Sequence, residues 1–152
     1  MPDERLDEKA ATEVLNQILE LELAGVVRYL HYSLMIFGHA RIPIVAWMRA
    51  QSQEALGHAV QAGEHITTLG GHPSLKIGKL LETHRHDINE ILQESIEHEQ
   101  EGIACYRKLL QLVEGKSLML EEYARKLVHD EEVHLSEIKK MLPRAGKTQN
   151  TR

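Results

Sequence analysis

Each of the four long helical segments in this chain carries a glutamate at or beside its own apolar stripe, near mid-length. In "ARKLVHDEEVHLSEIKKML", residues 124–142, the positions three or four apart are Ala124, Leu127, Glu131, His134, Ile138 and Met141. That period is helical, and it puts a carboxylate and an imidazole among hydrocarbon. The first segment has Leu15, Ile18, Leu19, Glu22, Val26 and Tyr29 on one stripe. The third has Leu92, Ile96, Glu99, Ile103, Tyr106, Leu110 and Val113. The second runs Ile44, Trp47, Gln51, Glu54 or Ala55, His58, Ala62, Ile66 and Leu69. A carboxylate buried alone is so costly that it would protonate or find a cation. The chain must therefore fold so that these groups meet something that neutralises them.

Proline and glycine divide the chain cleanly. The pattern predicts helix A over 5–38, B over 43–70, C over 84–114 and D over 117–142, with hardly any strand signal. The A–B and C–D links are short, so those pairs should be antiparallel neighbours. The B–C link, "GGHPSLKIGKLLETHRHD", is long enough to run along the bundle and leave B and C parallel. The expected fold class is therefore all-α, a four-helix bundle ordered up-down-down-up with a long B–C crossover. One domain is expected over 1–142, then a flexible basic tail over 143–152.

Apolar residues make up 42% of the chain, but only one Trp, one Phe and four Tyr are among them. The core must be built mainly from Leu, Ile, Val, Ala and Met. A net charge of −5 argues against a nucleic-acid partner. Cys105 is the single cysteine, which rules out an internal disulfide. The charged start "MPDERLDEKAATEVL" lacks the apolar run of a signal peptide. No stretch reaches the roughly eighteen apolar residues of a membrane span. We expect a cytoplasmic protein with no membrane partner.

The two halves also repeat. Glu22 and Glu99 are 77 apart (99 − 22), as are Tyr29 and Tyr106 (106 − 29) and Glu54 and Glu131 (131 − 54); His58 and His134 are 76 apart (134 − 58). This suggests two helical hairpins related by a pseudo-twofold. Taken singly, a glutamate on an apolar stripe is usually an edge residue, and a lone histidine there is more often hydrogen-bonded core than ligand. The joint pattern carries the stronger reading. Four carboxylates with no Lys or Arg on the stripes at their level would be neutralised by two divalent ions, with two neutral imidazoles as further donors. A Glu from each of two helices, with Glu-x-x-His from the other two, is the di-iron carboxylate pattern. Oxygen-rich donors with two imidazoles suit iron or manganese, with zinc as another occupant.

On these residues the chain resembles the ferritin superfamily, and within it bacterioferritin, over about residues 10–142. "NQILELELAGVVRYLHYSLM" is similar to the first helix, "HEQEGI" to the ligand stretch of the third, and "DEEVH" to the last motif. The resemblance implies metal ligands at Glu22, Glu54, His58, Glu99, Glu131 and His134, with Glu131 and Glu54 as the bridging carboxylates and Tyr29 as the catalytic tyrosine. It implies two iron ions and a ferroxidase that oxidises Fe(II) with O2 or H2O2, for iron storage and detoxification. Three departures stand out. Ungapped matching puts Ala55 where the helix-B glutamate belongs, with Glu54 one residue early; a π-bulge would restore the usual geometry, and Gln51 also lies close to the His58 direction. Leu56 stands where bacterioferritin binds haem through methionine, so haem is not expected. "RAGKTQNTR" after Pro143 leaves no fifth helix, which weighs a homo-oligomer between a dimer and a larger shell. The alternatives are a non-storing di-iron oxidase or peroxidase of the rubrerythrin kind, a DNA-protecting mini-ferritin (Dps), and a structural bundle without metal. The remaining histidines read as surface or loop, with His84 and His86 of "THRHD" forming a candidate secondary metal site.

Overall fold

A computed structural model of the chain describes residues 5–143. It has four helices, α1 (Glu8–Met35), α2 (Arg41–Thr68), α3 (Ile88–Val113) and α4 (Leu118–Met141). The basic tail lies, from residue 144 on, outside the described residues.

Side-chain caps set three of the four helix starts. The Asp7, Asp87 and Ser117 side chains accept from the backbone N–H groups of Ala10, Asn89 and Leu120. Each satisfies a donor that the helix itself leaves unpaired. Helices α1 and α4 begin three residues and one residue after the predicted starts, at 8 against 5 and 118 against 117; the other two starts shift for clear reasons. Helix α2 begins two residues before Pro43, because a first-turn N–H has no helical partner and proline loses nothing there. Helix α3 begins at Ile88 rather than 84, because His84 takes a left-handed backbone, φ 57°, which no helix continues. The end of α1 is closed by Arg41, whose Nη1 donates to Ile36 O at 2.7 Å and Ser33 O at 3.3 Å.

Paired contacts fix the topology. Arg28, Tyr29 and Glu22 of α1 meet His98, Glu99 and Tyr106 of α3, so those two helices are antiparallel. His58 meets Glu131 and Glu54 meets His134, so α2 and α4 are antiparallel as well. The order is up-down-down-up, as expected. The crossover runs beside α1 in the same direction. Ser74 N donates to Asn16 Oδ1 at 2.8 Å and Gly78 N to Glu20 O at 2.8 Å, and Glu82 reaches His31. A Cβ at Gly78 would stand 2.8 Å from Glu20 O, so only glycine lets the two backbones approach this closely.

The core falls into two apolar clusters. One gathers Leu15, Ile18, Ile66, Leu109, Val113 and Leu127. The other gathers Tyr29, Tyr32, Ile36, Met48, Ile91, Leu92 and Ile138. The stripe glutamates lie between them. Among the described residues, no helix is long and apolar enough to cross a membrane.

Candidate metal centre

The structure brings all six candidate ligands and Tyr29 to one small cavity of about 10 Å³ at mid-bundle, close to the space of one water-sized sphere. Glu22, His58, Glu99 and Glu131 are buried. Two three-donor groups form there. Glu22, His58 and Glu131 make one; Glu99, Glu131 and His134 make the other. Glu131 belongs to both. Its Oε1 lies 3.1 Å from His58 Nδ1 and its Oε2 3.9 Å from His134 Nδ1.

Glu54 closes the side toward α2. Its Oε2 is 3.0 Å from His134 Nε2 and its Oε1 3.9 Å from His58 Nε2. The helix stays α-helical from 54 to 58, so no π-bulge is involved. Ala55 fills the inward position at 7% exposure, and the Glu54 side chain, 40% exposed, reaches around from the edge. Gln51 lines the same cavity.

The spacing of the donors can be compared with that around a metal ion. Donors on one ion with bonds of about 2.0–2.2 Å sit roughly 3.0–3.5 Å from each other. His58 Nδ1 meets Glu131 Oε1 inside that range, at 3.1 Å, and Glu22 Oε2 just beyond it, at 3.6 Å, whereas Glu54 faces the Nε2 edges of both rings, opposite the Nδ1 edges toward Glu131. Neither lysine nor arginine lines the cavity among the described residues. Without metal, protons must neutralise the cluster. Burial raises the Glu22 carboxyl. Burial, then Glu131, pushes Glu99 well above the carboxylate range. Burial would lower His58, but Glu131 and Glu22 override it and push it up to about 10.

These shifts make the metal-free chain sensitive to alkali. A group with a raised folded pKa binds more protons folded than unfolded, so its contribution falls as pH rises. For His58 the contribution is complete below about 6.5 and lost as pH passes about 10. Glu22 and Glu99 act in the same sense. Thermal unfolding of chelator-treated protein should therefore show a falling midpoint across that window. Zinc-loaded protein, whose ligands have shed those protons, should lose far less.

Two tyrosines hold the carboxylates reciprocally. Tyr29 OH of α1 donates to Glu99 Oε1 of α3 at 2.5 Å, and Tyr106 OH of α3 donates to Glu22 Oε1 of α1 at 3.0 Å. Burial, then the nearby carboxylates, pushes both phenols well above their ordinary value, so both remain donors. Tyr106 was not among the expected site residues. The 77-residue offset from Tyr29 was the signal that could have found it.

Arg28 and His98 were also missed. Arg28 is buried beside the centre; its Nη2 donates to Tyr32 OH at 3.1 Å and its Nη1 contacts His98 Nδ1 at 3.2 Å. Sequence pattern had placed His98 at the surface, yet it is only 6% exposed. Burial, then Arg28, lowers it to about 4, so the ring is neutral. Arginine can only donate, so His98 Nδ1 accepts and its proton sits on Nε2. That edge faces Gly25, where a Cβ would lie 2.9 Å from Nε2. Gly25→Ala should cost about 1–3 kcal/mol by overpacking, against the gain of about 1 kcal/mol that alanine brings to an unobstructed helix site. Gly63→Ala, with nothing within 4 Å of the new methyl, should show that gain. Denaturation midpoints moving the same way for both would refute the role given to Gly25.

Of the "THRHD" pair, His84 stays out in solvent, while His86 turns toward His31 and Glu82. Leu56 lies on the outer face of α2, 43% exposed.

Residues 12–146 match the family model described as a ferritin-like domain. Among solved structures, the chain is similar to a ferritin-like, diiron-carboxylate protein from Bacillus anthracis str. Ames. The TM-score is 0.85 at 25% identity, covering 90% of this chain and 98% of that one. The dodecameric thioferritin of Bacteroides fragilis, a bacterioferritin-related protein, superposes with TM-score 0.82 at 20% identity, covering 90% and 86%. Rhodobacter capsulatus bacterioferritin, with a metal-free dinuclear site and haem iron, gives TM-score 0.75 at 23% identity, covering 90% and 85%. Comparison with curated proteins yields no match.

Proposed function

The chain belongs to the ferritin-like family, and from that premise we propose that it is a bacterioferritin-like ferroxidase. Glu22, Glu54, His58, Glu99, Glu131 and His134 hold two iron ions in this reading. The observation that carries it is the sharing of Glu131 between two three-donor groups, one buried and the other buried but for His134. The diiron-carboxylate relative from Bacillus anthracis adds support. With both ions ferrous, the pair supplies two electrons to O2, giving H2O2, or to H2O2, giving two waters, with two protons taken up in either case.

The protein's own residues set the conditions for that exchange. Glu131 spans both positions and keeps the ions adjacent. Glu22 and Glu99 each complete one position, and the hydroxyls of Tyr106 and Tyr29 fix their orientation. Glu54 is the only carboxylate of the six ligands with a half-exposed side chain, so it is the one free to swing and admit iron. The apolar clusters on either side keep water from the centre. We assign no haem to the site at Leu56.

Assembly into a homo-oligomer is part of the proposal. Leu30, Leu34, Phe37, Ile42, Leu56 and Val60 leave large apolar side chains exposed on α1, α2 and the link between them, more than single scattered contacts explain. The Bacteroides fragilis relative is a dodecamer. Sizing the particle separates a storage shell from a non-storing oxidase.

The ferroxidase test is anaerobic titration with Fe(II), followed by oxygen. The absorbance of ferric iron should rise with an end point at about two irons per chain. A chain that oxidises iron no faster than buffer would sink the proposal.

A further inference from the structure

A second cluster lies outside the buried centre, where the crossover meets α1. His31 Nε2 is 2.9 Å from Glu82 Oε2, and His86 Nε2 is 3.3 Å from Glu82 Oε1. The two imidazole rings are 6.1 Å apart, edge to face. Both distances match the roughly 3.0–3.5 Å between neighbouring donors on one small ion. The backbone builds this arrangement locally. The left-handed residue His84 bends the chain, and its N–H donates to Glu82 Oε1 at 2.5 Å. Glu82 and His86 are thereby turned to the same side, facing His31.

One atom in the cluster has no protein explanation. His86 Nε2 is sealed from solvent yet makes no hydrogen bond, although Glu82 is near. A buried ring nitrogen without a partner is costly, and an ion at the centre of the three donors would supply the partner. We propose that His31, Glu82 and His86 form a separate site for a divalent first-row transition ion, with zinc as the reference occupant. Two imidazoles and one carboxylate favour zinc, copper, nickel or ferrous iron over magnesium or calcium, which prefer all-oxygen shells. Three protein donors leave a fourth position for water. The Glu82 and His31 side chains are 40% and 42% exposed, so an ion can enter directly from solvent. Once bound, it ties the end of the crossover to α1.

The test is zinc binding to the full chain by equilibrium dialysis, comparing H31N/H86N with the parent and with H39N/H72N. His39 and His72 are exposed and lie outside the cluster. H31N/H86N should bind about one zinc per chain fewer than the parent, and H39N/H72N the same number as the parent. The difference is read whatever the buried centre takes up, so failure of the ferroxidase reading leaves it intact. As a second measurement, His86→Asn alone should abolish a zinc-induced shift of the His31 imidazole resonances while helical ellipticity stays at the parent value. A double variant with the parent's stoichiometry, or a His31 shift that survives His86→Asn, would overturn the proposal.

Discussion

Glu131→Ala should leave a chain that cannot load two metal ions together. Glu131 is the one carboxylate common to both donor groups. Its loss takes a donor from each position and the carboxylate that both share. Loss of an outer-shell partner typically costs about 10–100-fold in affinity or activity, and loss of a shared ligand should exceed that range. Iron oxidation at substoichiometric Fe(II) should fall by more than about 100-fold. Bound zinc should drop from about two ions at the centre to at most one, held weakly. Stopped-flow absorbance and dialysis read the two effects separately. Near-parental oxidation would remove Glu131 from the mechanism and the dinuclear reading with it.

Glu99→Gln should separate the two states of the centre by sign. In the metal-free chain Glu99 is pushed well above the carboxylate range by burial and by Glu131, which favours its protonated form. Glutamine mimics that neutral acid. It can still accept from Tyr29 and donate toward Glu131. Metal-free stability should therefore change by no more than about 0.5 kcal/mol. The metal-bound state differs, because an amide replaces an anionic donor. An ion at one hundred times its dissociation constant stabilises by about 2.7 kcal/mol, roughly 5–10 °C in midpoint for a chain of this size. The variant should forfeit most of that increment at one position. An equal metal-induced rise in parent and variant would show that Glu99 serves the fold through Tyr29 and not the metal.

Much of this architecture was legible because helical period and burial go together. The stripes through Glu22, Glu99 and Glu131 are the faces that point inward, and the 77-residue offset is the spacing that Tyr29 and Tyr106 share. The unequal lengths of the links between helices gave the topology. What stayed hidden depends on how helices are set side by side. Arg28 and His98 lie beside the stripes and become buried only because α1 and α3 cross at their level. Glu54 illustrates another limit. Its position on the helix wheel points toward the rim, and only its long side chain brings the carboxylate to the histidines. His84 and His86 look equivalent in sequence, yet one left-handed residue sends them to different environments. No period encodes that turn.

The two apolar clusters have a consequence for how the molecule opens. Each end of the bundle has its own hydrocarbon core, and the join between them is the layer of carboxylates and imidazoles. Without metal, that layer is held by protons and by hydrogen bonds and ion pairs such as Tyr29–Glu99, Tyr106–Glu22 and His58–Glu131, a weaker join than either hydrocarbon core. A pair of ions held by ligands from all four helices would tighten that join. Amide exchange should then slow at both ends at once when metal binds, as far from the centre as Leu15 and Ile91. Loading the centre thus sets the cooperativity of the whole bundle.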